Sequence, residues 1–221
     1  IMSHYESFGY NDFLLALGYK AEVIKEYFLN YHQINSDIKI DLSTGEIEHY
    51  KSNNTNWKVS LINTGLNTMT GGRLKKLKPF LEENEDFLLT YGDGLSDINI
   101  EELIKFHKSH GKLVTITAVR PSARFGELSI NMDNKVTNFQ EKPQTQSGWI
   151  NGGFFVMNSR FLDFIDNNQS ILENEPLEKV SNIGELMAFK HTGFWQCMDT
   201  KRDRDYLNKI WSEKKYFFEN E

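Results

Sequence analysis

Two stretches place an acidic side chain where chemistry can happen. Leu88-Leu89-Thr90-Tyr91-Gly92-Asp93-Gly94 ends an apolar run on one aspartate set between glycines. Glycines there let a ligand approach the backbone and permit dihedrals that other residues avoid. A lone carboxylate on such backbone suits Mg²⁺, which takes one or two carboxylates together with phosphate oxygens. It suits a tight turn equally well, since Asp and Gly are common in turns. Gly193-Phe194-Trp195-Gln196-Cys197-Met198-Asp199-Thr200 supplies a second aspartate, again at the end of an apolar run. Taken alone, Asp199 reads as a cap for the helix that begins near Lys201. Taken together, Asp93 and Asp199 form a clamp for one cation.

Other polar stretches bear on phosphate and sugar. Thr68-Met69-Thr70-Gly71-Gly72-Arg73-Leu74-Lys75-Lys76 is glycine-rich and leads into a helical pattern. Backbone N–H groups at such a start attract phosphate or polar base edges, and Arg73 adds a fork of donors. The plainer reading is a helix capped by Thr70. Phe139-Gln140-Glu141-Lys142-Pro143-Gln144 ends a strand on a lysine that Pro143 keeps extended. Lys142 suits a sugar phosphate as a point charge, or a solvated strand end. Asn151-Gly152-Gly153-Phe154 brings backbone close to something, a ligand or a bulge. The Asn151 amide both donates and accepts, as sugar hydroxyls require. His107 and His110 share one helix face but have no further zinc ligand nearby, so they read as a helix end. Cys197, beside Met198, reads as core.

These residues need elements to hold them. Apolar runs predict strands at 13–17, 57–62, 86–90, 113–119, 149–157, 185–190 and 194–198. Helical spacing predicts helices at 20–30, 72–81, 159–166, 176–182 and 202–215. A further helix is framed by Asn99 and Gly111, with Glu102 completing a capping pattern. Hairpins are expected around Ser43-Thr44-Gly45-Glu46 and Met132-Asp133-Asn134-Lys135. Strands alternating with helices in the first half indicate an α/β fold with a mostly parallel sheet, and the hairpins add antiparallel strands. Ligands in such sheets bind beyond the carboxyl ends of the strands, which is where Asp93 falls.

The bulk numbers exclude several classes. With 221 residues, 39% hydrophobic and 13% aromatic, the chain suits one large globular domain spanning 1–221. A net charge of -6 argues against nucleic acid as partner. The basic run Arg73 to Lys78 alternates with leucines and reads as a helix with a solvated basic face. One cysteine forbids an internal disulfide, and no apolar run approaches 20 residues. No membrane association and a cytoplasmic location are the expectation. The opening Ile1-Met2-Ser3-His4 reads like the middle of a helix, so a preceding segment is expected.

The order of these stretches — TGxxxMTGGRL, TYGDG, FQEKP, NGGFFV, GELMAF, GFWQxMDT — resembles the sugar-1-phosphate nucleotidylyltransferase family over essentially the whole chain. The pairing of TMTGGRL with GFWQxMDT is similar to its cytidylyl branch, which acts on glucose 1-phosphate. The resemblance implies a Rossmann-like α/β/α sandwich with a mixed, mostly parallel central sheet. It implies transfer from CTP to glucose 1-phosphate, giving CDP-glucose and pyrophosphate for surface-polysaccharide dideoxysugars. By resemblance Asp93 and Asp199 hold Mg²⁺, and Gly92 lies against substrate. Thr68 and Arg73 meet the nucleotide, Lys142 meets the sugar phosphate, and Asn151 and Gly153 wall the hexose. Symmetric homo-oligomers are common in the family. The family also begins with a strand and a GGxGTR loop that cradles the triphosphate, and neither occurs in these residues. The expectation is an N-terminally truncated fold with weak turnover or none. A thymidylyl- or uridylyltransferase and a non-catalytic sugar-nucleotide binder are the other readings.

Overall fold

The apolar run at Phe13 becomes β1 (Asp12–Leu17), preceded by a short helix, α1 (Met2–Glu6). The structure, a computed structural model, describes residues 1–52, 55–121, 127–140 and 148–213. The chain falls into two compact units. The first comprises Met2–Leu81 with Leu162–Glu178, and the second comprises Ile1, Glu82–Phe161 and Lys179–Glu221.

In the first unit, α2 (Ala21–Leu29) and α3 (Tyr31–Ile34) follow β1. A hairpin of β2 (Ser36–Ile40) and β3 (Ile47–Ser52) comes next, then β4 (Lys58–Asn63). The hairpin turn is held by Asp41, whose Oδ1 accepts from the Ser43 backbone and hydroxyl. β1 and β4 pair in parallel, from Asp12↔Lys58 to Leu17↔Asn63. Then comes α4 (Thr70–Lys76), shorter than the spacing predicts. The rest of the expected helix is a 3-10 turn, Lys78–Phe80, that contains Pro79. Proline lacks the N–H that an α-helix interior needs, so the tighter turn takes over there. α4 lies close on the 162–178 segment. Its Gly72 packs so tightly that a Cβ there would sit 2.5 Å from the Asn168 carbonyl oxygen. Thr70 does not cap this helix. Its hydroxyl donates to Glu173 and accepts from the Leu172 N–H, and Met69 occupies the cap position.

The second unit is built on β5 (Asp86–Thr90), β6 (Gly94–Ser96), α5 (Ile100–His110) and β7 (Val114–Val119). A hairpin of β8 (Glu127–Ile130) and β9 (Val136–Gln140) follows, then β10 (Ile150–Asn158). α6 (Glu175–Asn182) starts in the first unit's residues and ends in the second's. β11 (Leu186–Lys190), β12 (Trp195–Cys197) and α7 (Lys201–Ser212) complete the unit. Four strands form one mixed sheet in the order β11-β7-β10-β5. β11 runs parallel to β7, while β10 is antiparallel to both of its neighbours. β10 is covered on both of its faces and buries consecutive residues. Phe154, Phe155, Val156 and Met157 are all 2% exposed or less. That is why its sequence is a continuous apolar run and not an alternation. α5 turns Ile100, Leu103 and His107 inward at helical spacing, with Asn99 capping its start and Gly111 closing its end in the left-handed region. Among the described residues no helix is long and apolar enough to cross a membrane.

The two histidines of α5 belong to a hydrogen-bond chain. The Lys112 N–H donates to His110 Nδ1, so His110 carries its proton on Nε2 and donates to Thr115 Oγ1 at 2.8 Å. The Thr115 hydroxyl then donates to His107 Nδ1 at 2.8 Å, leaving His107 Nε2 to face Asp86 at 3.5 Å. Each ring is used in its neutral form. Burial lowers the pKa of His107, with Asp86 opposing. Burial also lowers that of His110, with His107 and Lys112 adding to the effect.

Two predictions follow from this packing. An unfolded chain binds protons on these histidines below about pH 6.5 while the native chain does not. Stability therefore drops as pH falls below that value. Urea denaturation at pH 7.5 and 5.5 should show the loss, and His110→Asn should make it smaller. Separately, Gly72→Ala must displace backbone at Asn168 and should cost about 1–3 kcal/mol of stability in the same measurement.

Candidate functional site

The site grows from the shortest ladder in the molecule. β6 begins immediately after Asp93, and β12 ends two residues before Asp199. The strands pair antiparallel through Gly94↔Cys197, Leu95↔Gln196 and Ser96↔Trp195. One further bond extends the ladder, from the Met198 N–H to the Asp93 carbonyl at 2.8 Å. Asp93 and Asp199 thus sit at the same end of one ladder, and both are exposed. Among the described residues no group of three or more His, Cys, Asp or Glu gathers into a metal cage, and the histidines of α5 are no exception.

The surroundings hold each aspartate differently. Asp199 does not cap α7. That place belongs to Thr200, whose hydroxyl accepts from the Asp203 N–H while the Asp203 carboxylate accepts from the Thr200 N–H. This reciprocal pair satisfies two donors at the helix start. Asp199 Oδ2 instead accepts from the Cys197 thiol at 3.2 Å. Burial pushes that thiol up to about 11, and the nearby Asp199 charge pushes the same way. It stays a protonated donor and not a nucleophile. Asp93 follows Gly92, which has open space around its α-carbon.

A second set of contacts ties the ladder to β10. The strand is irregular between Asn151 and Phe155, as the paired glycines suggest. Gly153 takes a φ of +77°, and a Cβ there would lie 2.8 Å from the Tyr91 ring. No other residue fits that position without strain. The Tyr91 N–H donates to the Gly153 carbonyl at 3.1 Å. The Asn151 amide is engaged on both sides: Oδ1 accepts from the Gly153 N–H at 2.8 Å, and Nδ2 donates to the Tyr91 hydroxyl at 3.3 Å. The irregularity turns the Gly152 carbonyl toward β12, where it accepts from Trp195 Nε1 at 2.7 Å. Beyond the ladder, His191 Nε2 lies 2.9 Å from Asp97 Oδ1, and the Phe194 carbonyl accepts from the Ser96 hydroxyl and the Asp97 N–H. Gly92, Asp93, Asn151, Gly153 and Asp199 therefore gather on one framework. Tyr91 and Trp195 complete it, and sequence reasoning did not single them out. The signal was present: each is an aromatic residue with a polar tip, next to the glycine and aspartate stretches.

Thr68 and Arg73 belong to the first unit. Thr68 is buried and donates to the Thr64 carbonyl at 2.7 Å. Arg73 lies across the carboxyl ends of β1 and β4. Nη1 donates to the Leu17 carbonyl and the Thr64 hydroxyl, and Nη2 donates to the Leu66 carbonyl. Lys76 adds a bond to the Thr64 carbonyl at 2.7 Å. Two cations and a hydroxyl thus brace the loop of residues 64–69. Lys142 lies outside the described residues.

Residues 29–200 match the family described as Nucleotidyl transferase. The chain is 46% identical over 215 residues to a glucose-1-phosphate cytidylyltransferase of Salmonella typhimurium, covering 97% of this chain and 83% of that protein. It is 39% identical over 214 residues to a probable glucose-1-phosphate cytidylyltransferase of Bacillus subtilis, covering 96% and 83%. The crystal structure of HddC from Yersinia pseudotuberculosis complexed with GMP-PN superposes with a TM-score of 0.66. That likeness covers 95% of this chain and 83% of that one at 20% identity, which bears on the fold alone. It agrees with the Rossmann-like α/β arrangement of parallel and mixed sheets. The chain belongs to the nucleotidyl transferase family, in its sugar-1-phosphate nucleotidylyltransferase group.

Proposed function

We propose that this chain's activity is transfer of a cytidylyl group from CTP to α-D-glucose 1-phosphate, giving CDP-glucose and pyrophosphate. The identity to cytidylyltransferases over nearly the whole chain supports the substrate class. The observation that carries the chemistry is the β6–β12 ladder, which brings Asp93 and Asp199 to one end.

Both substrates are polyanions, so the protein's task is to align them and offset their repulsion. The attacking phosphate oxygen is already anionic and needs no strong general base. A bond forms from that oxygen to the α-phosphorus, the α–β phosphoanhydride breaks, and pyrophosphate leaves with the electron pair. The two exposed carboxylates fit Mg²⁺, a hard cation that takes oxygen ligands and fills its remaining positions with water and phosphate. Bound there by Asp93 and Asp199, it would supply positive charge against the phosphate oxygens as negative charge develops. Gly92 leaves room for substrate beside the first carboxylate. Lys142 is assigned to the sugar phosphate. Thr68 and Arg73 act by setting the shape of the loop that meets the cytosine and ribose. Asn151 and Gly153 form the wall for the hexose, and the engaged amide of Asn151 fixes that wall in place. The whole chain acts as one nucleotidyltransferase domain, in the cytoplasm, on the way to dideoxysugars of surface polysaccharides.

We also propose assembly as a homo-oligomer. Exposed apolar side chains on α2 and the β2–β3 hairpin, among them Val23, Tyr27, Leu29 and Leu42, support it. Light scattering should then give a mass above 25.8 kDa, the value for one chain.

The catalytic reading is tested by pyrophosphate release. Asp93→Asn and Asp199→Asn should each lower the Mg²⁺-dependent rate by about 10²-fold or more, the scale for losing one charge-stabilising group. Near-normal rates in both would end the two-carboxylate reading. CTP, UTP and dTTP compared in the same assay assign the base. Calorimetry with CDP-glucose separates an enzyme from a chain that binds without turnover.

A further inference from the structure

On β10, Asn151 pairs with Ala118 of β7, and on the other side of β7 Lys190 of β11 pairs with the same Ala118. Residues paired across a sheet share a face, and so do residues two apart along an extended chain. Arg120 follows Ala118 by two residues, and Trp149 precedes Asn151 by two. Lys190, Asn151, Arg120 and Trp149 therefore occupy one face at the carboxyl ends of the parallel strands β7 and β11. The contacts agree. The Arg120 guanidinium carbon lies 4.5 Å from the centre of the Trp149 ring, and Lys190 Nζ lies 5.6 Å from it. Ala118, between them, is buried.

Two exposed cations are thus gathered on one half-buried indole. Among the described residues neither side chain has a carboxylate within ion-pair distance or a side-chain hydrogen bond. Like charges so placed repel, and an exposed cation–π contact with the indole face offsets only part of that. The remaining positive potential favours an anion. Arg offers a planar fork suited to phosphate, Lys a mobile point charge, and the ring a flat surface.

We propose that Arg120, Lys190 and Trp149 form a docking site for a phosphate monoester, the sugar phosphate on its way to Asp93 and Asp199. The assignment to the sugar phosphate rests on the function proposed above; the anion chemistry does not. The site shares its sheet face with Asn151, so a phosphate held there leaves the attached sugar next to the hexose wall. It also supplies positive charge at the entrance to a chain whose net charge is -6, which would otherwise repel anions.

Tryptophan fluorescence tests this without turnover. Glucose 1-phosphate and inorganic phosphate should each change the emission saturably, glucose 1-phosphate at the lower concentration, and neutral glucose should not. Trp149→Phe should abolish the response, and Arg120→Gln with Lys190→Gln should weaken binding about tenfold or more, the scale for losing charge-assisted hydrogen bonds. Raising NaCl should weaken binding to the unaltered protein, as screening of exposed charge requires. In turnover, the double variant should raise KM for glucose 1-phosphate relative to KM for CTP. An undiminished response in the double variant, or an equal response to glucose, overturns the site. Equal affinity for the two phosphates overturns its assignment to the sugar phosphate. A normal phosphate response in a chain that forms no CDP-glucose overturns the proposed function and leaves the anion site standing.

Discussion

Everything in the candidate site depends on a single geometric constraint: two carboxylates from distant parts of the chain are held at the end of a ladder three residues long. Residues so far apart in sequence stay together only where other bonds hold them. Here the backbone does it. Gly94 to Ser96 pairs with Trp195 to Cys197, and the Met198–Asp93 bond continues the ladder to the aspartates themselves. So short a ladder is weak alone. It is fastened at its far end by the Phe194 carbonyl, and at the side by Trp195 bonding to Gly152.

The fastening to Gly152 joins the site to the core. β10 has a deeply buried apolar half, Phe154 to Met157, and an irregular half, Asn151 to Gly153. The first fixes the strand's position in the sheet. The second uses that fixed position to present a carbonyl, an amide and a bare backbone turn to Tyr91 and Trp195. Packing and site geometry thus meet within nine residues of one strand. The division is physical. Apolar burial sets position to within a strand register, while directed hydrogen bonds set which atoms face the ligand.

Much of this was legible in the sequence. Apolar runs located nearly every strand, because strands covered on both faces carry apolar residues in succession. Asn99 and Gly111 framed α5 as their chemistry requires. The two aspartates were identifiable because each ends an apolar run. Other parts were not legible. Thr70 looked like a cap, yet tertiary partners at Leu172 and Glu173 claimed its hydroxyl. Asp199 and Thr200 were equally good caps by residue type, and the choice fell on Thr200 because Asp203 lies three residues on. The partners that hold the Arg73 guanidinium, the Leu17 carbonyl, the Thr64 hydroxyl and the Leu66 carbonyl, come from separate parts of the fold and are not written in its local sequence. Side chains with several possible partners cannot be assigned from residue type. Local spacing names the candidates, and only the folded neighbours decide among them.

The cap at Thr200 has a mechanical consequence. Asp199 is stationed between two rigid bodies, a hydrogen-bonded strand on one side and the locked first turn of α7 on the other. Its main chain has little slack, so any ligand of that carboxylate would meet an acid already in place and little ordering entropy would be lost on binding. Leu207 and Ile210 seat the helix inward, so the apolar contacts that hold α7 also fix the capped turn that follows the acid.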